Sequence, residues 1–152
     1  MEKLLEVESA KTLMTEAMSW SVMRWLREKK RVRKAADQAN AALDRLREEI
    51  QQRWPAPLRA AYTALLPRPS EARRHNGSSL SAGGPDITLA VSKMKDSNDE
   101  AYRARMDAEE TFDKAEKQLS TTLAREGCRK AIYSWDLHEK AIRKAESLIR
   151  SK

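Results

Sequence analysis

The side chains able to do acid–base, nucleophilic or metal chemistry are few and poorly spaced for it. His75 and His138 are the only histidines and Cys128 is the only cysteine, so a zinc site lacks its donors. A di-iron bundle needs Glu-x-x-His on separate helices, and the residue three before His138 is Trp135. Cys128 and His138 stand ten residues apart, roughly 15 Å along one helix, too far for a nucleophile and its base. Gly77, Gly83 and Gly84 fit neither a P-loop nor a dinucleotide loop. Carboxylates abound, but nothing implies an apolar pocket that would perturb them. The expectation is a protein that is not an enzyme, with no metal, no cofactor and no small-molecule substrate.

One segment combines two binding chemistries. Residues 18–34 read MSWSVMRWLREKKRVRK, with Trp20, Met23 and Trp25 first and Arg24, Arg27, Lys29, Lys30, Arg31, Arg33 and Lys34 following or interleaved. An amphipathic membrane-surface helix would set the tryptophans at headgroup level and the cations on anionic lipid. A nucleic-acid contact would set the same cations on phosphates. A calmodulin-target-like helix is a third reading. In a fourth, Met18, Val22, Trp25 and Val32 belong to a helical seam and acids elsewhere in the chain neutralise the cations. The unbroken phase of the apolar residues favours that fourth reading. Trp20 and Met23 lie off the seam, however, and predict a second apolar face suited to a partner protein. Trp54 and Trp135 are further anchor candidates, because tryptophan is enriched at interface hot spots.

The elements that must carry these residues are helices. Only 4 glycines and 5 prolines occur in 152 residues, and 35% of the chain is charged, a composition of long helices and coiled coils. From Leu4, steps of three or four reach Val7, Lys11, Met14, Met18, Val22, Trp25, Lys29, Val32, Ala36, Ala39, Leu43, Leu46 and Ile50. That heptad-like spacing predicts one helix over 1–54, with a stutter at Met14-Met18-Val22. Pro55 and Pro57 end it just after Trp54. A connection follows over 55–85, with two short helical turns in 58–66. Residues 67–85 hold three of the prolines and three of the glycines, and predict a flexible linker. Arg68, Arg73, Arg74 and His75 make this linker basic. A second arm spans 86–152, with Asp86 as its N-cap. Its seam runs through Ile87, Val91, Met94, Asn98, Ala101, Arg105, Ala108, Phe112, Ala115, Leu119 and Thr122. Breaks are expected near Ser97, which opens a capping box, or at Gly127.

Each arm has an apolar stripe that water would destabilise, so the arms should pair. Setting Trp54 against Ile87 in an antiparallel register brings Arg24–Lys34 opposite Asp107, Glu109, Glu110, Asp113 and Glu116. It also brings Ala35, Ala36, Ala39, Ala41 and Ala42 opposite Ala101, Ala104 and Ala108. Whether residues 128–152 add a further helix stays open in this reading.

The expected fold is all-α: an elongated antiparallel helical hairpin or coiled-coil-like bundle with a flexible central linker. The expected role is a scaffold, adaptor or structural subunit that binds a protein partner, or a second copy of itself, through coiled-coil-type seams. The alternative is a peripheral binder of an anionic surface, membrane phospholipid or nucleic acid, through residues 20–34. Net charge is +7; residues 51–85 contribute most of it, with 5 Lys/Arg against 1 Asp/Glu. Acids in residues 1–8, where a secretory leader needs a basic start, and the absence of an apolar run of membrane-spanning length predict a cytoplasmic protein.

Overall fold

A computed structural model describes residues 4–66 and 85–150, with side chains over 4–66 and 87–149. Among these residues there are five helices and no strand: α1 (Leu5–Ala17), α2 (Val22–Gln52), α3 (Ala56–Leu65), α4 (Pro85–Gln118) and α5 (Thr121–Arg150). The all-α expectation holds. The linker expectation over 67–84, with its basic residues Arg68, Arg73, Arg74 and His75, lies outside the described residues. No helix among the described residues is long and apolar enough to cross a membrane.

The first arm is not one helix. It breaks at the stutter, after Ala17, and restarts at Val22. No proline or glycine forces this; local hydrogen bonding and burial do. The Ser21 hydroxyl accepts from the Arg24 N–H at 3.3 Å and caps α2. Trp20, on the turn, is buried. The break lets α1 fold back along α2, where Arg45 reaches Glu6 at 3.2 Å and Arg24 reaches Glu16 at 3.1 Å. Val7, Ala10, Met14 and Ala17 are then all buried, which a straight helix would leave wet. The seam lysine Lys11 is accounted for as well. It bonds Asp136 at 2.8 Å and also Glu139, both on α5. Burial works against the charged Lys11 ammonium, but the two carboxylates outweigh it and raise its pKa.

The second arm breaks at neither expected place. Helix α4 runs through Ser97 and α5 through Gly127. The chain reverses instead at Leu119, which takes a left-handed conformation (φ 52°). There Ser120 N–H donates to the Ala115 carbonyl at 3.1 Å, the bond that closes a Schellman motif. The Ser120 hydroxyl then caps α5 through Leu123 N–H at 3.2 Å. Gly127 has a packing role. A Cβ there would stand 2.9 Å from the Phe112 ring, which is itself stacked on Trp25 with ring centres 6.0 Å apart.

The closest antiparallel pairing is α4 with α5, and the first arm packs against that pair. Tyr102 meets His138, Asp107 meets Lys130 and Ser97 meets Lys144 across it. That register sets Ala101, Ala108 and Ala115 near Ala141, Ala131 and Ala124. All six are buried, and small residues of this kind let two helices approach closely. Helix α2 lies along α5 in a parallel sense, with Asn40, Arg47 and Trp54 contacting Trp135, His138 and Ala145 in turn. Helix α2 meets α4 antiparallel as expected, through side chains whose pairings scatter from about one turn before to about two turns past the expected register: Trp25 stacks on Phe112, Arg33 meets Asp113 and Glu116, and Asp44 meets Arg105. Helix α3, more than the short turns expected, buries Leu58 and Ala61 and sets Tyr62 edge-on to Trp54.

Candidate anion-binding surface

Four of the five expected partner anchors lie inside the chain. Trp25 is stacked on Phe112. Trp54 donates its indole N–H to the Ala145 carbonyl at 2.9 Å, and Trp135 donates to Asn40 Oδ1 at 2.8 Å. Trp20 is buried at the α1–α2 corner beneath the Arg24 guanidinium, 4.9 Å from the ring centre. Only Met23 faces outward, 68% exposed. The off-seam spacing of Trp20 predicts a second outward face. The turn at Met18–Ser21 rotates it inward, and no pattern confined to a straight helix could show that.

The basic run divides into spent and free cations. Arg24 bonds Glu28 at 2.9 Å as well as Glu16, and Arg31 bonds the same Glu28 at 2.6 Å. Those two hydrogen bonds hold the Glu28 carboxyl below the usual carboxylate range. Arg33 spans Asp113 at 3.1 Å and Glu116 at 2.8 Å and lies over the Phe112 ring. Two of the five acids expected opposite the run thus meet it, through one arginine; Asp107 is taken by Lys130 and Glu110 by Lys114. Arg27, Lys29, Lys30 and Lys34 have no ion pair among the described residues. Arg27, Lys30 and Lys34 are exposed and Lys29 is half-buried.

Helical spacing gathers Met23, Arg27, Lys30, Arg31 and Lys34 on one face of α2. A shallow groove of about 500 Å³ runs on each side of that ridge. One lies between α1 and α2, with Leu5, Ala10, Leu13 and Ala35 below Arg31 and Lys34. The other lies between α2 and α4, lined by Lys29, Lys30, Arg33, Lys34, Asp37, Asp113 and Glu116. Lys34 lines both.

A second polar cluster is interior and sequence reasoning missed it, apart from noting Asn98 and Arg105 as polar seam positions. Asp44 accepts both Arg105 nitrogens (3.0 and 3.1 Å), Arg47 (3.0 Å) and the Tyr102 hydroxyl (3.1 Å). Both guanidiniums lie over the Tyr102 ring, at 4.7 and 4.9 Å. Behind them His138 is fully buried, its Nδ1 facing Arg47 Nη1 at 3.4 Å. An arginine can only donate, so Nδ1 accepts and Nε2 carries the proton, toward the Ala101 carbonyl but outside hydrogen-bond geometry. Burial, then the charges of Arg105 and Arg47, push the His138 pKa down to about 3. Cys128 is also buried, and burial pushes its thiol up to about 12. Both groups are held in their uncharged forms. Among the described residues no three His, Cys, Asp or Glu side chains are grouped to hold a metal ion.

Compared with known proteins, the chain matches no family model, no curated protein and no solved structure.

Proposed function

We propose that this protein is a non-enzymatic helical-bundle interaction module that engages an anionic partner through the exposed ridge of α2. One observation carries the reading. The bundle occupies all four tryptophans internally while leaving Arg27, Lys29, Lys30 and Lys34 without carboxylate partners among the described residues. Arg27, Lys30 and Lys34, unpaired on one helix face, raise the local positive potential, which speeds encounter with an anion and gives a salt-dependent affinity. The lone, buried Cys128 suits work in the reducing cytoplasm. Binding of labelled polyglutamate, read by fluorescence anisotropy across a salt titration, tests the reading. Affinity should fall steeply with salt and on neutralising Arg27, Lys30 and Lys34. A complex indifferent to both would refute it.

A second reading, a scaffold or structural subunit that binds a partner protein or its own copy through a coiled-coil-type seam, is favoured by a different observation. Met106 on α4 and Tyr133 on α5 are both more than half exposed, apolar surface that a partner could cover. Here association should survive high salt and be lost on Met106→Lys with Tyr133→Lys. Light scattering that returns a monomer mass at all concentrations, with no captured partner, would count against it.

A further inference from the structure

We infer that the partner of the α2 ridge is the phosphate backbone of a nucleic acid, bound without sequence preference through Arg27, Lys30 and Lys34. This rests on α2 being the anion-binding surface and goes further in naming the polymer. Three observations select it.

The first is spacing. Arg27, Lys30 and Lys34 stand at i, i+3 and i+7 on one helix face, with Arg31, held by Glu28, beside them, so unpaired cations recur about every 5 Å over roughly 10 Å of helix. They diverge from a convex ridge instead of converging on a point. A single small anion would gain few contacts there, whereas a polymer with regularly repeated charges gains several. The nearest acids do little to cancel the field. Glu28 is shared by Arg24 and Arg31, Glu6 in the α1–α2 groove is taken by Arg45, and Asp113 and Glu116 are taken by Arg33; Asp37, in the other groove, limits the usable stretch.

The second is the absence of aromatic rings from the ridge. Trp20 and Trp25, the two rings next to the basic run, are buried. The face therefore has no ring to stack on an unpaired base, which leaves its charges, and so the phosphates, to carry the contact. It has no tryptophan to seat at a lipid headgroup layer either, which weakens the membrane alternative. A protein interface of standard strength also centres on buried apolar or aromatic anchors, and Met23 alone stands at the end of this face.

The third is the flanking structure. Helices α1 and α4 border the ridge on either side across the two grooves. An isolated recognition helix fits a duplex major groove about 12 Å wide; α2 with a neighbour on each side does not. Contact is confined to the phosphates at the polymer surface.

The test uses the full chain and four probes. These are labelled single strands and duplexes, each in two unrelated sequences, together with polyglutamate and phosphatidylserine-containing vesicles. Expected is binding of both nucleic-acid sequences within about threefold of each other. The slope of log K against log salt should be about −2 on single strands, at roughly 0.7 per phosphate contacted. The variant Arg27→Ala/Lys30→Ala/Lys34→Ala should lose at least tenfold in affinity and flatten that slope. Lys140→Ala/Arg143→Ala, on the exposed face of α5, should leave both unchanged. Circular dichroism confirms that each variant keeps its helix content. Tighter binding to polyglutamate or to vesicles, lost in the triple variant, would overturn the nucleic-acid assignment and keep the anionic face. No binding to any probe overturns both. Nucleic-acid binding that survives in the triple variant, or that differs a hundredfold between sequences, overturns the ridge or its lack of sequence preference respectively.

Discussion

His138 lies against Arg47 and stays neutral there, held by burial and by the charges of Arg105 and Arg47. A depressed histidine pKa links stability to pH in a definite direction. The unfolded chain takes up a proton below pH 6.5, and the native state does so only near 3. The neutral-histidine contribution is therefore complete above 6.5 and is lost as pH falls toward 3, by up to about 1.4 kcal/mol per pH unit. Urea unfolding at pH 7 and pH 5 should show a marked drop for the natural chain and a smaller one for His138→Gln. Equal drops would mean that His138 is charged in the fold. The surrounding cluster was legible in sequence only as two misplaced polar residues, Asn98 and Arg105. Periodicity identifies a polar side chain on an apolar stripe, but not the Asp44 or Tyr102 that satisfies it from another element.

At the scale of elements, the sequence was most informative where a stop is chemical. Trp54-Pro55 ended α2 as the residue-before-proline rule requires. It was least informative where a stop is tertiary. Ser21 caps α2 with one side-chain bond; Ser21→Ala should cost about 1 kcal/mol, read as a lower thermal midpoint. An unchanged midpoint would place the cause of the break in the burial of Trp20 alone. Leu119 holds the left-handed position that glycine usually takes. That conformation costs a non-glycine residue about 1–2 kcal/mol, and glycine returns about 0.5–1 kcal/mol of that as chain entropy. Since Leu119 is exposed, Leu119→Gly should stabilise the protein by roughly 0.5–1 kcal/mol. Destabilisation on chemical denaturation would show that the Leu119 side chain packs more than its exposure suggests. The glycine that looked like a helix end, Gly127, instead makes room for Phe112.

At the scale of the whole molecule, α5 is the centre. It packs against α1 through Lys11, against α2 through Asn40, Arg47 and Trp54, and against α4 along the hairpin. Its buried residues Ala124, Cys128, Ala131, Trp135, His138, Ala141, Ile142 and Ala145 cover most of its length. A chain ending at Gln118 should therefore show no cooperative thermal transition by calorimetry. A sharp transition would mean that α1–α4 form a core without it.

The amino-acid pattern alone determined that the chain is helical, most of the residues that line each apolar stripe, where α2 stops, and that seven cations and one acid crowd residues 24–34. The expected seam positions Val22, Leu119 and Thr122 are exposed, being at helix ends or the α4–α5 turn. Leu4, Val7, Met14, Trp25, Val32, Ala36, Ala39, Leu43, Leu46 and Ile50 are all buried as their spacing requires. Only the tertiary structure decided which helix covers which stripe, that Trp20 turns inward while Met23 does not, and which cations stay unpaired. The physical reason is that a 3.6-residue period records which side of a helix avoids water, and the same side can be covered by any apolar neighbour. The choice among neighbours rests on contacts far apart in the chain: Lys11 with Asp136, Arg33 with Glu116, Asp44 with Arg105. Those pairings consumed part of the basic run and left the ridge on α2 that the proposed function uses.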